Sequence, residues 1–274
     1  MLDLKLDREG VPPKPAATLI LVRDAADAIE VFCVQRSGKS AFMGGAIVFP
    51  GGKVDPSDSE DAWSACVVDV DEKLRAHRIA ACRESLEEAA ILPVEGGALN
   101  DAELETLRRS HANDKDALRA FLSSKGLRID LRALHPFSHW VTPTAESRRY
   151  DTYFFVAKAP EGQTGAHDQT ETTASFWATP AEILRRFLAG EVQLAPPTHR
   201  TLEIMSTCKS TADVFAVAAN ANLDPICPRL VQCGDTMALV LPGDPEHDVR
   251  ETRTAGSTRY VLRGERWRSE DAPA

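Results

Sequence analysis

Apolar positions along the chain follow two rhythms. Unbroken apolar runs at Ala16 to Val22 (AATLILV) and Ile29 to Gln35 (IEVFCVQ) are separated by the polar turn Arg23 to Ala28. They predict two buried strands joined as a hairpin. A short strand, Ala46 to Phe49, delivers a glycine turn at Gly51 and Gly52. Further strands are predicted at Phe137 to Thr142, Tyr153 to Ala157 (as a central strand), Ala174 to Ala178, Thr236 to Leu241 and Arg259 to Leu262. The helical rhythm is clearest from Arg78 to Leu92 (RIAACRESLEEAAIL), where Leu74, Ala81, Leu86 and Ile91 mark an apolar side. Two amphipathic stretches, near Ala102 to Ser110 and Lys115 to Ser124, read as packing helices or as a lid. Pro180 opens a helix over Ala181 to Ala189, and Thr198 to Ser206 and Ala212 to Ala219 complete the helices. The acidic stretch Ser59 to His77 looks mostly helical, with Trp63 as its anchor, and Glu161 to Thr173 is a polar loop.

The Arg78 to Leu92 helix also carries the chemistry. Glu84, Glu87 and Glu88 stand at i, i+3 and i+4, so three carboxylates share one face. At an effective dielectric of about 20, each pair at ~5 Å costs roughly 3 kcal/mol. Such a cluster is stable when solvent bathes it, when some carboxylates hold protons, or when a cation sits on it. Oxygen-only ligands suit magnesium or manganese rather than zinc. Taken alone, the cluster reads equally as a solvated acidic face. Arg83, next to Glu84 and four before Glu87, is in place to hold a carboxylate in one rotamer, and the Phe49 to Gly52 turn lets a backbone carbonyl approach the same ion.

This pattern resembles the Nudix hydrolase box, Gly-x5-Glu-x7-Arg-Glu-U-x-Glu-Glu-x-Gly-U, with U bulky and apolar. Gly52 matches the opening glycine, Arg83, Glu84, Glu87 and Glu88 the charged core, and Ile91 the last apolar position. The departures are specific. Asp58 stands where the family has Glu, and an insertion separates it from Arg83. Ser85 replaces an apolar residue. Ala90 replaces the second glycine, so the helix is expected to run on until Pro93 stops it. Outside the box, AFMGGAIVFPGGKVD, WVTPTAESRRYDTYFF and LAPPTHRTLE resemble the type-19-like branch, which is related to coenzyme A diphosphatases and has a split box of this kind. The resemblance runs from about Pro15 to Trp267.

It implies an α/β fold: a Nudix α/β/α sandwich with a mixed β-sheet, a helical insertion and a C-terminal α/β extension. The divisions it suggests are a lead-in at 1–15, a Nudix domain at 16–195 (insertion 59–77, helical segment 100–126) and an extension at 196–274 packed on it. It also implies a Mg2+- or Mn2+-dependent cleavage of a diphosphate bond, with coenzyme A or acyl-CoA giving 3′,5′-ADP and (acyl-)phosphopantetheine. Hydrolysis of ADP-ribose, NADH or another nucleoside diphosphate derivative is the alternative, and a non-catalytic nucleotide-binding module the second. Glu84, Glu87 and Glu88 would hold the metal, with the Gly52 carbonyl adding an oxygen and Glu171, or else Asp168, a loop carboxylate. Glu84 or Glu87 would activate water, and Arg83 would fix their rotamers.

Arg36, Lys39, Arg148 and Arg149 are candidates for the phosphates, although Arg149 could instead pair with Asp151. Phe42, Trp140 and Tyr150 could stack on adenine or belong to the core. His135 and His139 read as non-ligands, and Pro196, Pro197 and Thr198 as a pocket wall or a plain helix start.

Composition narrows the picture further. The chain has 274 residues, 43% hydrophobic and 27% charged, with a formal charge of −9, which argues against a general nucleic-acid binder. Six cysteines without CxxC spacing read as reduced and structural, with no zinc site. The opening stretch lacks the apolar core of a signal peptide, no apolar run is long enough to span a membrane, and the tail is not a peroxisomal Ser-Lys-Leu signal. The expectation is a cytoplasmic enzyme with a small-molecule nucleotide substrate and neither nucleic-acid nor membrane partners. Whether it forms a homodimer stays open.

Overall fold

The computed structural model describes residues 3–6, 8–38, 45–68, 72–168, 172–264 and 266–272. Strand β1 is Lys14–Asp24 and β2 Ile29–Arg36, followed by β3 (Ala46–Val48) and β4 (Gly51–Lys53). Helix α1, Arg75–Ala89, follows a stretch of 3-10 turns and the two-residue strand β5, Val67–Val68. Then come β6 (Val94–Glu95), α2 (Asp101–Asn113), α3 (Ala117–Lys125), β7 (Arg128–Asp130), β8 (His135–Val141), β9 (Tyr150–Lys158) and β10 (Thr172–Ala178). Helix α4 (Pro180–Ala189), β11 (Gln193–Leu194), α5 (Pro196–Met205) and α6 (Thr211–Ala219) lead to β12 (Arg229–Cys233), β13 (Thr236–Val240), β14 (Arg259–Arg263) and β15 (Arg266–Glu270).

The main sheet runs β11, β3, β2, β1, β9, β8, with β10 paired to β2 and β4 to β1. Strand β1 is antiparallel to β2 and parallel to β9, with Ala17 opposite Tyr153. The apolar runs are continuous because both faces of this sheet are covered. Ala17, Leu19 and Leu21 of β1 pack in the core that contains α1, together with Phe32, Val34, Phe155 and Ala157. The alternate residues Ile20, Val22, Val31, Cys33, Phe154 and Val156 pack in a second core with Ile183, Leu202 and Val214 of α4, α5 and α6. The period of two along each strand therefore sorts side chains between two layers of helices. Strand β9, expected at the centre, lies one place in from the β8 edge.

The described part of the insertion is mostly helical, as expected, but in short 3-10 turns rather than a continuous α-helix. It forms the 3-10 turns Pro56–Ser59, Asp61–Ala65 and Glu72–Leu74 plus β5, which joins β7 and β6 in a small sheet. Trp63 does anchor it: the ring is buried and its Nε1 donates to the Ser57 carbonyl at 2.9 Å. Helices α2 and α3 are packed into the α1 core through Leu104, Leu107, Leu118 and Leu122. All six cysteines are free, and burial pushes the Cys33 and Cys82 thiols up. No helix among the described residues is long and apolar enough to cross a membrane.

The end of α1 is a second correction. The helix does not run on to Pro93; it stops at Ala89, and Ala90 takes the left-handed conformation with φ 51°. Tertiary bonds close this end. The Ser85 hydroxyl, buried where the family has an apolar group, donates to the Ile91 carbonyl at 2.9 Å, and the Ala166 amide donates to the Ala89 carbonyl at 2.8 Å. The left-handed turn costs alanine about 1–2 kcal/mol. Glycine would relieve that, but it would lose a buried methyl worth ~0.8 kcal/mol and ~0.5–1 kcal/mol of chain entropy. The terms nearly cancel, so Ala90→Gly is expected to leave the melting temperature almost unchanged. Ala90→Val, β-branched in a region it avoids, is expected to lower stability by about 2 kcal/mol or more. Equal melting curves for the two variants in a thermal scan would contradict this account of the turn.

The last third of the chain is built onto the main sheet. Leu239, Leu241 and Tyr260 share the second core with Ile20 and Val22. Strands β12 and β15, unmarked in the sequence pattern, complete a four-stranded meander with β13 and β14. A fully buried ion pair, Arg259 Nη2 to Asp244 Oδ1 at 2.7 Å, ties the loop before β14 to that strand.

Candidate active site

Strand β4 passes directly under the acidic face of α1. A Cβ added to Gly52 would stand 2.4 Å from the Glu84 carboxyl carbon, and one on Gly51 would stand 2.5 Å from the Ala17 carbonyl oxygen. Only glycine lets this strand pair with β1 and still leave room for Glu84. The Gly51 amide donates to Glu88 Oε2 at 3.1 Å, which fixes the second carboxylate over the same turn.

Arg83 is the hub. Its Nε and Nη2 donate to the two oxygens of Asp58 at 3.0 and 2.9 Å, and Nη2 also reaches the Lys53 carbonyl at 2.8 Å. Its Nη1 donates to Glu84 Oε1 at 2.7 Å and to Glu87 Oε1 at 3.2 Å. Asp58 is fully buried (0% exposed) and caps its own 3-10 turn by accepting from the Asp55 amide at 2.8 Å. The residue whose role the split box obscured thus forms a bidentate pair with Arg83 across the insertion.

The carboxylates are electrostatically distinct. Burial pushes the Glu84 carboxyl up to about 7, against the pull of Arg83 and with the help of Glu87. Burial also raises Glu87, but hydrogen bonds from His111 and Arg83 outweigh it and leave this group below its usual range. His111, on α2, is buried with Nε2 at 3.1 Å from Glu87 Oε1, and its Nδ1 has no hydrogen-bond partner among the described residues. Sequence reading passed His111 over, because only the packing of α2 on α1 brings it to Glu87.

Among the described residues no three acidic, histidine or cysteine side chains converge into a ligand set by themselves. Arg83 Nη1 lies between Glu84 and Glu87 and takes up their charge. The donors nevertheless fit a hard divalent cation. They are carboxylate oxygens, one carboxylate is destabilised by burial, and the glycine turn leaves no side chain in the way.

These groups line a cleft of about 590 Å3 that includes Arg36, Gly52, Arg83, Glu84, Glu87 and Glu88. Arg36 has a buried Nε without a hydrogen-bond partner among the described residues. Trp140, Tyr150, Pro196, Pro197 and Thr198 also line it. Two expected phosphate ligands do not. Arg148 is exposed outside the cleft, and the Arg149 guanidinium is committed to the Thr142 and Val11 carbonyls at 3.0 and 2.6 Å. Nor does Arg149 pair with Asp151, which is bonded instead to His139 Nε2. His135 and His139 lie on β8, and His139 stacks on Tyr153 at 4.0 Å. Asp168 accepts from the Thr172 amide at 2.9 Å, and with Glu87 and His111 it lines a second cleft that shares Asp55, Arg83 and Glu87 with the first. Lys39, Phe42 and Glu171 lie outside the described residues.

A mixed sheet covered by helices, with an Arg-Glu helix face set over a glycine turn, is the arrangement of a Nudix hydrolase. The model of the NUDT19 Nudix domain matches residues 70–205. The crystal structure of a NUDIX hydrolase from Alicyclobacillus acidocaldarius is 30% identical with TM-score 0.68, covering 75% of this chain and 96% of that one. The chain belongs to the Nudix hydrolase family and is an enzyme of that class. Within the family it resembles the type-19-like branch. The acyl-coenzyme A diphosphatase NUDT19 of Xenopus laevis is 26% identical, covering 78% of this chain and 70% of the relative. That of Gallus gallus is 28% identical, covering 78% and 72%.

Proposed function

We propose that the enzyme hydrolyses the diphosphate of coenzyme A or acyl-CoA, releasing 3′,5′-ADP and phosphopantetheine or its acyl form. The observation that carries this reading is the placement of Glu84 and Glu88 over the Gly51–Gly52 backbone, with Glu87 beside them at one cleft with Arg36. The names of the relatives support the choice of substrate. In this reading Glu84, Glu87, Glu88 and the Gly52 carbonyl hold Mg2+ or Mn2+, with Glu171 adding a loop carboxylate. The bound ion neutralises diphosphate charge and lowers the pKa of water.

The chain's own groups do the rest. Arg83 and Asp58 fix the direction of Glu84 and Glu87, Arg36 meets a diphosphate oxygen, and Glu84 or Glu87 accepts the proton of the attacking water. Incubation with coenzyme A and Mg2+, followed by product chromatography, is expected to give 3′,5′-ADP. AMP from a dinucleotide panel with no cleavage of coenzyme A would replace this substrate by ADP-ribose or NADH. Nucleotide binding without turnover under any divalent ion would remove the catalytic reading.

A further inference from the structure

The cleft is uneven in chemistry, and the unevenness follows its parentage. Its charged lining residues come from α1 (Arg83, Glu84, Glu87, Glu88), from β4 and the turn after it (Lys53, Asp55) and from β2 (Arg36). No charged lining residue comes from β8, β9, the start of α5 or the C-terminal meander. That half is built from Trp140, Pro143, Pro196, Pro197, Pro228 and Leu239, with the hydroxyls of Thr142, Tyr150, Thr152 and Thr198 as its polar groups. Pro228 and Leu239 lie beyond residue 205, where the match to the family domain ends.

This wall is fixed in place. The segment before β12 adds to the free edge of β8, with the Ile226 amide donating to the His139 carbonyl at 2.8 Å and the Val141 amide to the Ile226 carbonyl at 2.9 Å. The Tyr260 hydroxyl, buried in the second core, donates to the Pro196 carbonyl at 3.2 Å and so pins the start of α5. Leu239 stands on β13, the neighbour of the strand that carries Tyr260.

We infer that the C-terminal meander is a substrate-reading element, and that the uncharged half of the cleft holds the acyl-pantetheine arm. The inference rests on the coenzyme A reading above. With the diphosphate fixed at α1, the two ends of the substrate leave in different directions. The nucleoside end carries a 3′-phosphate, and an uncharged wall gives that group no partner and strips its water, which is costly. Further cations line the second cleft, which shares Asp55, Arg83 and Glu87 with the first: Arg108 and Arg109, paired to Glu105, and Lys115, paired to Asp55. The acyl end needs only apolar contact, and a proline, tryptophan and leucine wall supplies it without freezing flexible side chains.

The test compares kcat/KM for octanoyl-CoA and for free coenzyme A in the full-length enzyme. Pro197→Asp puts a charge into the wall at a position partly open to solvent, in the first turn of α5, where an acid is tolerated. It is expected to lower the octanoyl-to-free ratio about tenfold or more, mainly through KM. Leu239→Ala, which trims the meander's contribution, is expected to lower the same ratio in the same direction. A ratio unchanged in both variants, with coenzyme A still cleaved, would overturn the role of the wall and leave the substrate reading standing. If the unaltered enzyme cleaves neither compound, the substrate reading falls and the wall proposal falls with it.

Discussion

Replacing Glu88 by Gln is expected to lower kcat by about a thousandfold while the melting temperature stays close to that of the unaltered chain. The reasoning is local. Glu88 is nearly buried and accepts from the Gly51 amide. Glutamine keeps the shape and an acceptor oxygen for that amide, so the turn and the helix lose little. What it removes is a negative charge from a cluster whose members repel one another. Its loss relieves the fold and deprives a divalent cation of a hard anionic ligand. A steady-state assay over a range of Mg2+, with a thermal scan beside it, separates the two effects. Turnover within a few-fold of the unaltered enzyme would remove Glu88 from the machinery.

The second large effect belongs to Asp58. Asp58→Ala is expected to cost about 3–5 kcal/mol, because it leaves the Arg83 guanidinium buried without its bidentate partner. For a chain of this size that corresponds to a fall in melting temperature on the order of 10 °C. Activity should fall as well, since Arg83 is then free to turn away from the Glu84 and Glu87 oxygens it orients. Asp58→Asn keeps the shape and a single acceptor, and should fall between the two. A melting temperature unchanged in the alanine variant would mean that the Asp58–Arg83 pair does not hold the insertion to α1.

The acidic face was legible because it is local. Glu84, Glu87 and Glu88 lie within five consecutive residues, and helical geometry alone puts them on one side. The strands were legible for a similar reason: apolar runs such as Ala16 to Val22 can be stable only when buried on both faces. The end of α1 was not. Ala90 is a good helix former by its own preferences, and the bonds that overrule it come from Ser85, from Ile91 and from Ala166, far along the chain. Arg149 read as a phosphate ligand or a partner of Asp151 because the carbonyls that occupy its guanidinium, at Thr142 and Val11, carry no side-chain signal.

What the amino-acid order determines by itself is the two rhythms of burial, the acidic helix face and the glycine turn that must lie close to something. Each depends on neighbours within a few residues, where backbone geometry leaves few choices. Tertiary structure alone decided that Asp58 reaches Arg83 across the insertion, that His111 arrives beside Glu87 from a separate helix, and that Pro228 and Leu239 finish the cleft. The first two pairings join residues some two dozen positions apart, and Pro228 and Leu239 lie far beyond them in the chain. Nothing local selects such partners; they follow from which surfaces bury together, and that is settled only when the whole chain packs.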